Sequence, residues 1–402
     1  MHAPSNNAGP LAGLRVLDLS RFIAGPHCAM QLGDLGADVV KVERTGTGDD
    51  TRAFEPQVNG ESLYFLVFNR NKRGITLNLR DPRAQDILRR LIAQADVLIE
   101  NFRPGTMEKM GCGWDELHAL NPRLIMARIS GYGQRGPLAT EPCFDAIAQA
   151  ATGLMELTGP ADGPPTVAGT FVVDYCTALY AAIGVTAALE QRHRSGVGQL
   201  VDVSLVGSAM SLLVTAIPAQ AMLGQATSRV GNRDRFTAPG DVYRARDGKW
   251  VFLLSGSDAL FPRIASVMER NDLLSDPRFS TLKDRMVNRA AIESIVAAWV
   301  AQHDGDEIVS RARAAEIPGA VVSTIGDVVR NPHWREAEHI VTVKHRTAGE
   351  YPMHGLPIRM SDTPASIRDA SPTLGEHTEE VFREWLGMGP EQVATLRSEG
   401  IL

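Results

Sequence analysis

Short apolar runs of strand length alternate with helical patterns along the first 130 residues, and this alternation constrains the fold most. Residues 14–19 form such a run, a helical pattern extends to Leu35, and residues 37–43 form the next run. Strand, helix and strand within about thirty residues make a βαβ unit, which requires a right-handed crossover and a parallel sheet. Because the alternation continues through residues 75–79, 96–100 and 124–130, the sequence predicts an α/β fold.

Polar residues follow several of these predicted strands. Arg44 comes directly after the second run, residues 101–105 follow a later one, and residues 131–134 follow another. The carboxyl ends of parallel strands share one sheet edge, where ligands collect. An arginine there suits a phosphate, although a solvated surface arginine is equally common. The whole set of loops indicates a site for a large, polyanionic nucleotide, while the missing G-x-G-x-x-G fingerprint argues against a nicotinamide enzyme.

The sequence changes texture near Gln225, where a turn-rich linker replaces a segment rich in small and apolar residues. Asp247-Gly248 is a hairpin signature, and the helical patterns after it indicate a smaller α+β domain. Proline-rich, charged connections are predicted for residues 341–372, followed by helix. The predicted organisation is a large domain in residues 1–224, linker and small domain in 225–340, and a return linker with the C-terminal part of the large domain in 341–402.

Composition and charge exclude several classes of protein. The net charge is −6, from 41 basic and 47 acidic residues without a basic block, which argues against nucleic acid as a partner. No uninterrupted apolar stretch of about eighteen residues occurs, so no membrane span is predicted. Residues 1–9 are polar and lack the apolar core of an export signal. We therefore expect a cytoplasmic protein that acts away from membranes.

The cysteines agree with a reducing cytoplasm, because they are scattered without a C-x-x-C pair. They are Cys28, Cys112, Cys143 and Cys176. Neither a disulfide framework nor a zinc site is expected from this spacing. Cys176 stands two residues after Asp174, but its small-residue helical context favours a packed thiol over a nucleophile.

Asp174 has two interpretations. It separates an apolar, partly β-branched run from a small-residue segment, residues 177–190, that is typical of a tightly packed helix. As the residue at the head of that helix, Asp174 would be an N-cap that accepts an orphaned backbone N–H. As a carboxylate in apolar surroundings, it would be a nucleophile or a base. Local sequence favours the cap.

Motifs spread along the chain change that balance, because together and in this order they are highly specific. They are Leu11-Ala12-Gly13-Leu14-Arg15-Val16-Leu17-Asp18, Ala24-Gly25-Pro26, Leu35 to Glu43, Asn71-Lys72-Arg73-Gly74, Glu100 to Gly105, Ser130-Gly131-Tyr132-Gly133, Gly163-Pro164-Pro165 and Thr373 to Thr378. With them the chain resembles the family III coenzyme A transferases over essentially its whole length. The resemblance implies a Rossmann-like large domain built from both chain ends, a smaller inserted α+β domain, and a ring-like subunit in an interlocked homodimer.

The resemblance also implies a site, with Asp174 as the nucleophile. The residues implied to line the coenzyme A site are Ile23, Arg44, Leu77, Arg80, Asn101, Phe102, Lys109 and Asp145. Phosphate charge would come from Arg44, Lys72, Arg73, Arg80 and Lys109. The segment Ser255-Gly256-Ser257 would be the counterpart of a glycine-rich loop that covers the aspartyl intermediate in oxalate and formyl enzymes. Its single glycine argues against oxalate.

The implied activity is transfer of coenzyme A from an acyl-CoA donor to a carboxylic acid, through an aspartyl anhydride and an aspartyl-CoA thioester. A succinyl-CoA donor and a small dicarboxylic acceptor are expected, with no metal and no permanently bound cofactor. Two alternatives stay open. An α-methylacyl-CoA racemase would need a histidine opposite Asp174, where Phe144 stands. A catalytically silent CoA-binding protein would keep the fold without the chemistry.

Overall fold

The structure is a computed structural model that describes residues 9–402. Residues 1–8, which hold most of the segment predicted to lack an export signal, lie outside the described residues. Contacts divide the described chain into two units. The first contains the residues up to Leu154 together with residues 168–217 and 333–402, and the second contains residues 155–167 and 218–332. The units therefore change over at 217/218 and 332/333, where the sequence suggested 224/225 and 340/341.

The elements within the described residues are numbered here in chain order. The strands are β1 (Arg15–Asp18), β2 (Asp38–Glu43), β3 (Gln57–Val58), β4 (Glu61–Ser62), β5 (Lys72–Thr76), β6 (Val97–Glu100), β7 (Ile125–Ser130), β8 (Leu200–Ser204), β9 (Gly240–Arg244), β10 (Trp250–Leu254), β11 (Gly319–Val321), β12 (Ile340–His345) and β13 (Gly349–His354). The helices are α1 (Ala24–Asp34), α2 (Leu63–Phe68), α3 (Pro82–Ala93), α4 (Thr106–Lys109), α5 (Trp114–Leu120), α6 (Asp145–Thr152), α7 (Val172–Ser195), α8 (Leu205–Ser211), α9 (Ala216–Leu223), α10 (Phe261–Val267), α11 (Leu282–Val287), α12 (Arg289–Val300), α13 (Gly305–Ala314), α14 (Ile325–Arg330), α15 (Pro332–Glu336), α16 (Thr378–Leu386) and α17 (Pro390–Ser398). Short 3₁₀ helices occupy Asp50–Ala53 and Asn271–Leu274.

A six-stranded parallel sheet forms the centre of the first unit, in the order β5-β2-β1-β6-β7-β8. Its inner strands are buried because helices cover both faces, which explains their continuous apolar runs. The predicted mixed α/β fold with a parallel sheet is confirmed. From β1 the chain winds outwards through β2 to β5, and from β6 it winds the other way. The order therefore reverses between β1 and β6, which is where a ligand crevice is expected.

The C-terminal segment returns to the first unit. Phe382 and Trp385 of α16 are buried in the same apolar cluster as Leu88 of α3. The region 341–372, expected to be irregular, contains instead the antiparallel hairpin β12–β13. Tyr351 and Met353 of this hairpin have buried side chains, while the residues before and between them are exposed. This alternation stabilises a strand despite the prolines and charges, from which an irregular connection was predicted.

The second unit is built on the antiparallel sheet β11-β10-β9, with the turn predicted at Asp247-Gly248 joining β9 to β10. Its core comes from that sheet and helices that include α10, α12 and α13. Residues 155–167 belong to this unit because they bond to the linker expected near residue 225. The Gly231 N–H donates to the Gly159 carbonyl, and Arg229 pairs with Glu156.

Helix α7 begins at Val172, earlier than the predicted start at residue 177, and ends at Ser195. Among the described residues it is the one single helix long and apolar enough to cross a bilayer by length and composition. One side of it, including Val173, Ala181 and Val185, is buried against the sheet, as in the core helix of a folded domain. Asp174 lies in its first turn.

Candidate functional site

The site lies where the sheet order reverses, because loops after β1 and β6 meet there. The Asn101 side chain joins them: its Oδ1 accepts from the Arg21 N–H at 2.8 Å and its Nδ2 donates to the Arg21 carbonyl at 2.7 Å. The buried Glu100 carboxylate accepts the Phe102 N–H at 2.7 Å. Asn101 and Phe102, both predicted at the site, are thus held by hydrogen bonds just after the ends of β1 and β6. The oxygen and the nitrogen of the Asn101 side chain are both used in these bonds.

A cavity of about 320 Å³ opens at this junction. Of the predicted site residues, it is lined by Ile23, Asn101, Phe102 and Asp174. It also contains Arg21, Arg103, Glu141, Cys143 and Phe144. The carboxylate identified from sequence therefore faces a space with apolar walls and a few charged groups, which is the usual character of a small-molecule site.

Asp174 does not cap its helix. The N-cap position of α7 is Phe171, which makes no side-chain cap bond, and the orphaned N–H groups of Val173 and Asp174 donate to Oδ2 of Asp145 at 2.7 and 3.0 Å. No hydrogen bond to the Asp174 carboxylate oxygens is formed within residues 9–402. The capping interpretation is thus wrong: capping is done by Asp145, and the carboxylate of Asp174 is left available for chemistry.

Burial, and secondly the negative charge of Asp145, raise the pKa of Asp174 to about 7. Both effects disfavour the carboxylate form, since one removes solvation and the other is repulsive. A perturbed carboxyl group in a cavity is typical of a functional residue. Burial likewise raises the pKa of the nearby Cys176 thiol, as expected of a packed thiol.

A second cavity, of about 580 Å³, adjoins the first because Arg21 and Phe102 line both. Its walls contain three more of the predicted residues, Arg44, Leu77 and Arg80. Lys109 lies beside it as an exposed residue at the end of α4, whose Thr106 lines the cavity. Asp145 lies in the wall of neither cavity, and its Oδ2 instead accepts the N–H groups of Val173 and Asp174 at the start of α7.

The basic residues near the second cavity differ in their partners. Arg44 donates to the Gly48 carbonyl at 3.1 Å and pairs with Asp50 at 2.8 Å, so part of its charge is already neutralised. Arg80 and Lys109 are exposed and form no ion pair with any residue in the range 9–402. These two cations are available for an anionic ligand.

Two residues expected to supply phosphate charge do not reach the cavities. Lys72 is buried and bonds to Asp18 Oδ2, Asn69 Oδ1 and the Pro26 carbonyl, with desolvation lowering its pKa to about 8. Arg73 pairs with acidic residues, namely Asp38, Glu380 and Glu384. The two follow each other on β5, so their side chains point to opposite faces of the sheet, and both bind the protein itself.

Sequence reasoning missed two residues of the junction, Arg21 and Phe22. Arg21 lines both cavities and pairs with Asp50 at 3.0 Å. Phe22 has φ 65°, a strained value for a residue with a side chain, and its ring contacts those of Phe54 and Phe144. Phe144 is 59% exposed. Their position just after β1 was the available signal, since the loop after β1 lies at the switch point.

The loop Ser255-Gly256-Ser257 lies in the second unit, directly after β10. Ser255 and Gly256 are buried, and a Cβ at position 256 would stand 2.3 Å from the Ala238 nitrogen, so only glycine fits. The Ser257 hydroxyl accepts the Leu260 N–H, which steadies the turn before α10. Of the two serine hydroxyls expected to meet substrate, the one on Ser255 is enclosed within this unit.

No group of three His, Cys, Asp or Glu side chains in the described range is arranged to hold a metal ion. The residues at the junction instead offer the free carboxylate of Asp174, that of the exposed Glu141, apolar walls and unpaired cations. This donor set suits an organic anion and covalent chemistry at a carboxylate.

Comparison with known proteins agrees with this chemistry. Residues 11–378 of the chain match the family described as "CoA-transferase family III". The chain is 41% identical over 397 residues to the succinyl-CoA–L-malate CoA-transferase beta subunit of Chloroflexus aurantiacus, and 37% identical over 394 residues to the succinyl-CoA–D-citramalate CoA-transferase of that organism. Each alignment covers 98% of both chains. A CAIB/BAIF family crystal structure from Brucella suis superposes with a TM-score of 0.84 at 33% identity, covering 94% of this chain and 100% of that one.

Proposed function

Since this chain belongs to CoA-transferase family III and is an acyl-CoA:carboxylate CoA-transferase, we propose that it transfers coenzyme A from succinyl-CoA to a small dicarboxylic acid through Asp174. The observation that carries the assignment of the nucleophile is the unpartnered Asp174 carboxylate on the smaller cavity, with its helix capped by another residue. A carboxylate spared from structural bonds is free to attack a thioester.

The proposed reaction proceeds by two exchanges at Asp174. The carboxylate attacks the thioester carbonyl of succinyl-CoA, so that a C–O bond forms, the C–S bond breaks and the CoA thiolate leaves. The thiolate attacks the aspartyl carbonyl of the resulting anhydride, which releases succinate and leaves an aspartyl-CoA thioester. The acceptor carboxylate then repeats the sequence in reverse and departs as its CoA thioester. No net proton is consumed, and Asp174 is regenerated.

Coenzyme A is placed across both cavities in this proposal. The larger cavity, with Arg44, Arg80 and Leu77, receives the nucleotide, and Lys109 approaches the phosphates from the adjacent surface. The thiol arm passes Phe102, which lines both spaces, and ends beside Asp174. Ile23 and Asn101 are part of the wall of the smaller cavity. The positive charge at the larger cavity matches the phosphates of coenzyme A, and the apolar walls of the smaller cavity match its thiol arm.

The choice of a dicarboxylic acceptor rests on charge in the smaller cavity. Arg21 and Arg103 line it, and Arg103 forms no ion pair among the described residues. One carboxylate of the acceptor must reach Asp174, so a second carboxylate needs a cation of this kind. The names of the two Chloroflexus relatives, which cite succinyl-CoA with malate and citramalate, agree with that choice.

We also propose that the protein is a cytoplasmic homodimer with the interlocked, ring-like subunits and Rossmann-like large domain of its family. The exposed side of α7 supports the dimer, because Leu179, Tyr180 and Ile183 form an apolar face that continues to Met210 on α8. Ile183 is 63% exposed in the isolated chain, and a second copy is the occupant we assign to this face. Light scattering that gave 43.5 kDa would contradict it, as would co-purification of a different chain in equal amounts.

A panel of mono- and dicarboxylic acids, each incubated with succinyl-CoA or acetyl-CoA, tests the function when new acyl-CoA products are identified by mass. We expect succinyl-CoA with a four- or five-carbon dicarboxylic acid to give the highest rate. Hydroxylamine added with donor should inactivate the enzyme by trapping the aspartyl thioester. Racemisation of a 2-methylacyl-CoA without transfer would support the racemase alternative, and binding without either reaction would support the silent binder.

A further inference from the structure

We propose that Asp145 and Gln149 form a positioning pair that holds the backbone on which Asp174 is carried, and that Asp145 does not bind coenzyme A. The proposal rests on the proposed role of Asp174 as the nucleophile. It changes the role that the resemblance implied for Asp145, and it assigns one to Gln149.

The contacts of the pair account for three backbone N–H groups around the start of α7. Oδ2 of Asp145 accepts from Val173 at 2.7 Å and from Asp174 at 3.0 Å, and Oδ1 accepts from Nε2 of Gln149. Oε1 of Gln149 accepts from the Ala168 N–H at 3.0 Å. The two side chains therefore fix both the first turn of α7 and the segment that leads into it.

The pair is built to stay in place. Asp145 and Gln149 are four residues apart on α6, so they lie on one face of that helix, and they are 4% and 0% exposed. A carboxylate at the N-terminus of a 24-residue helix is stabilised by the helix dipole and by the two charge-assisted bonds. Both oxygens of Asp145 are bonded inside the protein and the residue is almost fully buried, so its carboxylate is directed at the protein and not at a ligand.

Position matters here because the reacting carboxylate must meet a thioester carbon within a fraction of an ångström. A displacement of about 1 Å can cost a hundredfold in rate. The Asp174 side chain forms no hydrogen bond of its own among the described residues, so its location depends on its backbone. Asp145 also lies close enough to influence its titration. The other ionisable groups near Asp174 are Cys143, Arg21, Arg103 and Glu141.

Three variants separate positioning from the alternatives. D145A removes all acceptors. D145N keeps one oxygen to accept the two N–H groups, but its amide nitrogen is a donor that faces the donor nitrogen of Gln149, so the bond between the two side chains is lost. D145N/Q149E restores every bond, because the Asn amide donates to the Glu carboxylate and the second Glu oxygen accepts from Ala168.

Two readouts are needed. Steady-state kinetics should show kcat falling about tenfold or more in D145A, with donor KM changed less than about threefold, and kcat in D145N/Q149E recovering to within about threefold of wild type. Hydrogen exchange of the peptide containing residues 171–177 should be faster in D145A and restored in D145N/Q149E, whether or not transfer is measured. In D145N the acid limb of the kcat profile should move to lower pH, since the negative charge beside Asp174 is gone.

Each contrary result is decisive. Unchanged kcat and unchanged exchange in D145A would overturn the proposal, and so would a raised donor KM at constant kcat, which would make Asp145 a ligand contact. If D145A does not fold, failure of D145N/Q149E to recover exchange and kcat relative to D145N overturns it. A wild-type enzyme without transfer activity would remove the proposed function, while the exchange measurements would still decide the positioning role.

Discussion

The two adjoining cavities differ in how their charged groups are held. In the smaller one, Asp174 is fixed through its backbone and surrounded by apolar walls, and its carboxylate is left without a partner. In the larger one, Arg80 is exposed and forms no ion pair within the described chain, while Arg44 forms an ion pair with Asp50. Chemistry at a single atom requires a fixed, desolvated group, whereas a flexible polyanion is held by several cations, each of which contributes a part.

The largest effect is expected at Asp174. Asp174→Asn should lower kcat by more than about a thousandfold, because an amide is a far poorer nucleophile than a carboxylate. The fold should not suffer. The raised pKa means that the ionised carboxyl is disfavoured in the folded state, so at pH 8 the Asn variant should be as stable as wild type or more stable by about 1–3 kcal/mol.

Initial rates and chemical denaturation at pH 8 measure the two halves of this prediction. Asp115→Asn is the matched control, since Asp115 is an exposed first-turn aspartate of α5 and should keep full activity. Appreciable transfer by the Asp174 variant would show that the nucleophile lies elsewhere.

The pH dependence should follow the Asp174 carboxyl group. Its pKa of about 7 predicts that kcat falls as the pH decreases through 7, to about a tenth of the pH 8 value at pH 6. Glu100 and Lys72 also have pKa values near this range, at about 7 and about 8. They are distinguished by D145N, which should move only a limb due to Asp174. A kcat that stays constant from pH 8 to pH 6 would contradict the assignment.

The parallel sheet and its switch point were predictable because apolar strands in regular alternation leave few topologies. Strand ends are short-range features, so Arg44 and Asn101 could be placed at one edge from sequence alone. The basic residues whose side chains pair with other parts of the protein could not be identified in this way. Lys72 and Arg73 lie at the amino end of β5, whereas Arg80 follows its carboxyl end. The partners of Lys72 and Arg73, such as Asp18 and Glu380, are distant in the chain.

Local sequence gave the wrong answer at Asp174 for the same reason. An aspartate near a helix start is normally its cap, but a carboxylate 29 residues earlier takes that role. No local sequence pattern distinguishes a helix that is capped by its own first residues from one that is capped by a distant side chain. The hairpin β12–β13 was missed because its prolines and charges lie on the exposed side, while Tyr351 and Met353 are buried.

In the larger cavity, Arg80→Ala should raise the donor KM about tenfold with little change in kcat. A single charge-assisted contact to phosphate corresponds to roughly 1.5–3 kcal/mol, and a factor of ten to 1.4 kcal/mol. The difference from wild type should shrink at high salt, because the side chain is exposed. Steady-state kinetics at two ionic strengths measure both effects. An unchanged donor KM would show that Arg80 is only surface charge.

The smallest effect on activity is expected for Arg73→Ala, which is the control for Arg80→Ala. Arg73 pairs with Asp38, Glu380 and Glu384, and its side chain is 19% exposed. Its loss should lower the free energy of unfolding by about 1–2 kcal/mol, because three carboxylates then lack their shared cation. Donor KM and kcat should stay within about twofold of wild type, since the guanidinium is occupied within the protein. Denaturation and kinetics on the same preparation measure both quantities. If the donor KM rose as much in this variant as in Arg80→Ala, bound coenzyme A would reach a cation that the fold uses for itself, and the distinction between binding and structural arginines would fail.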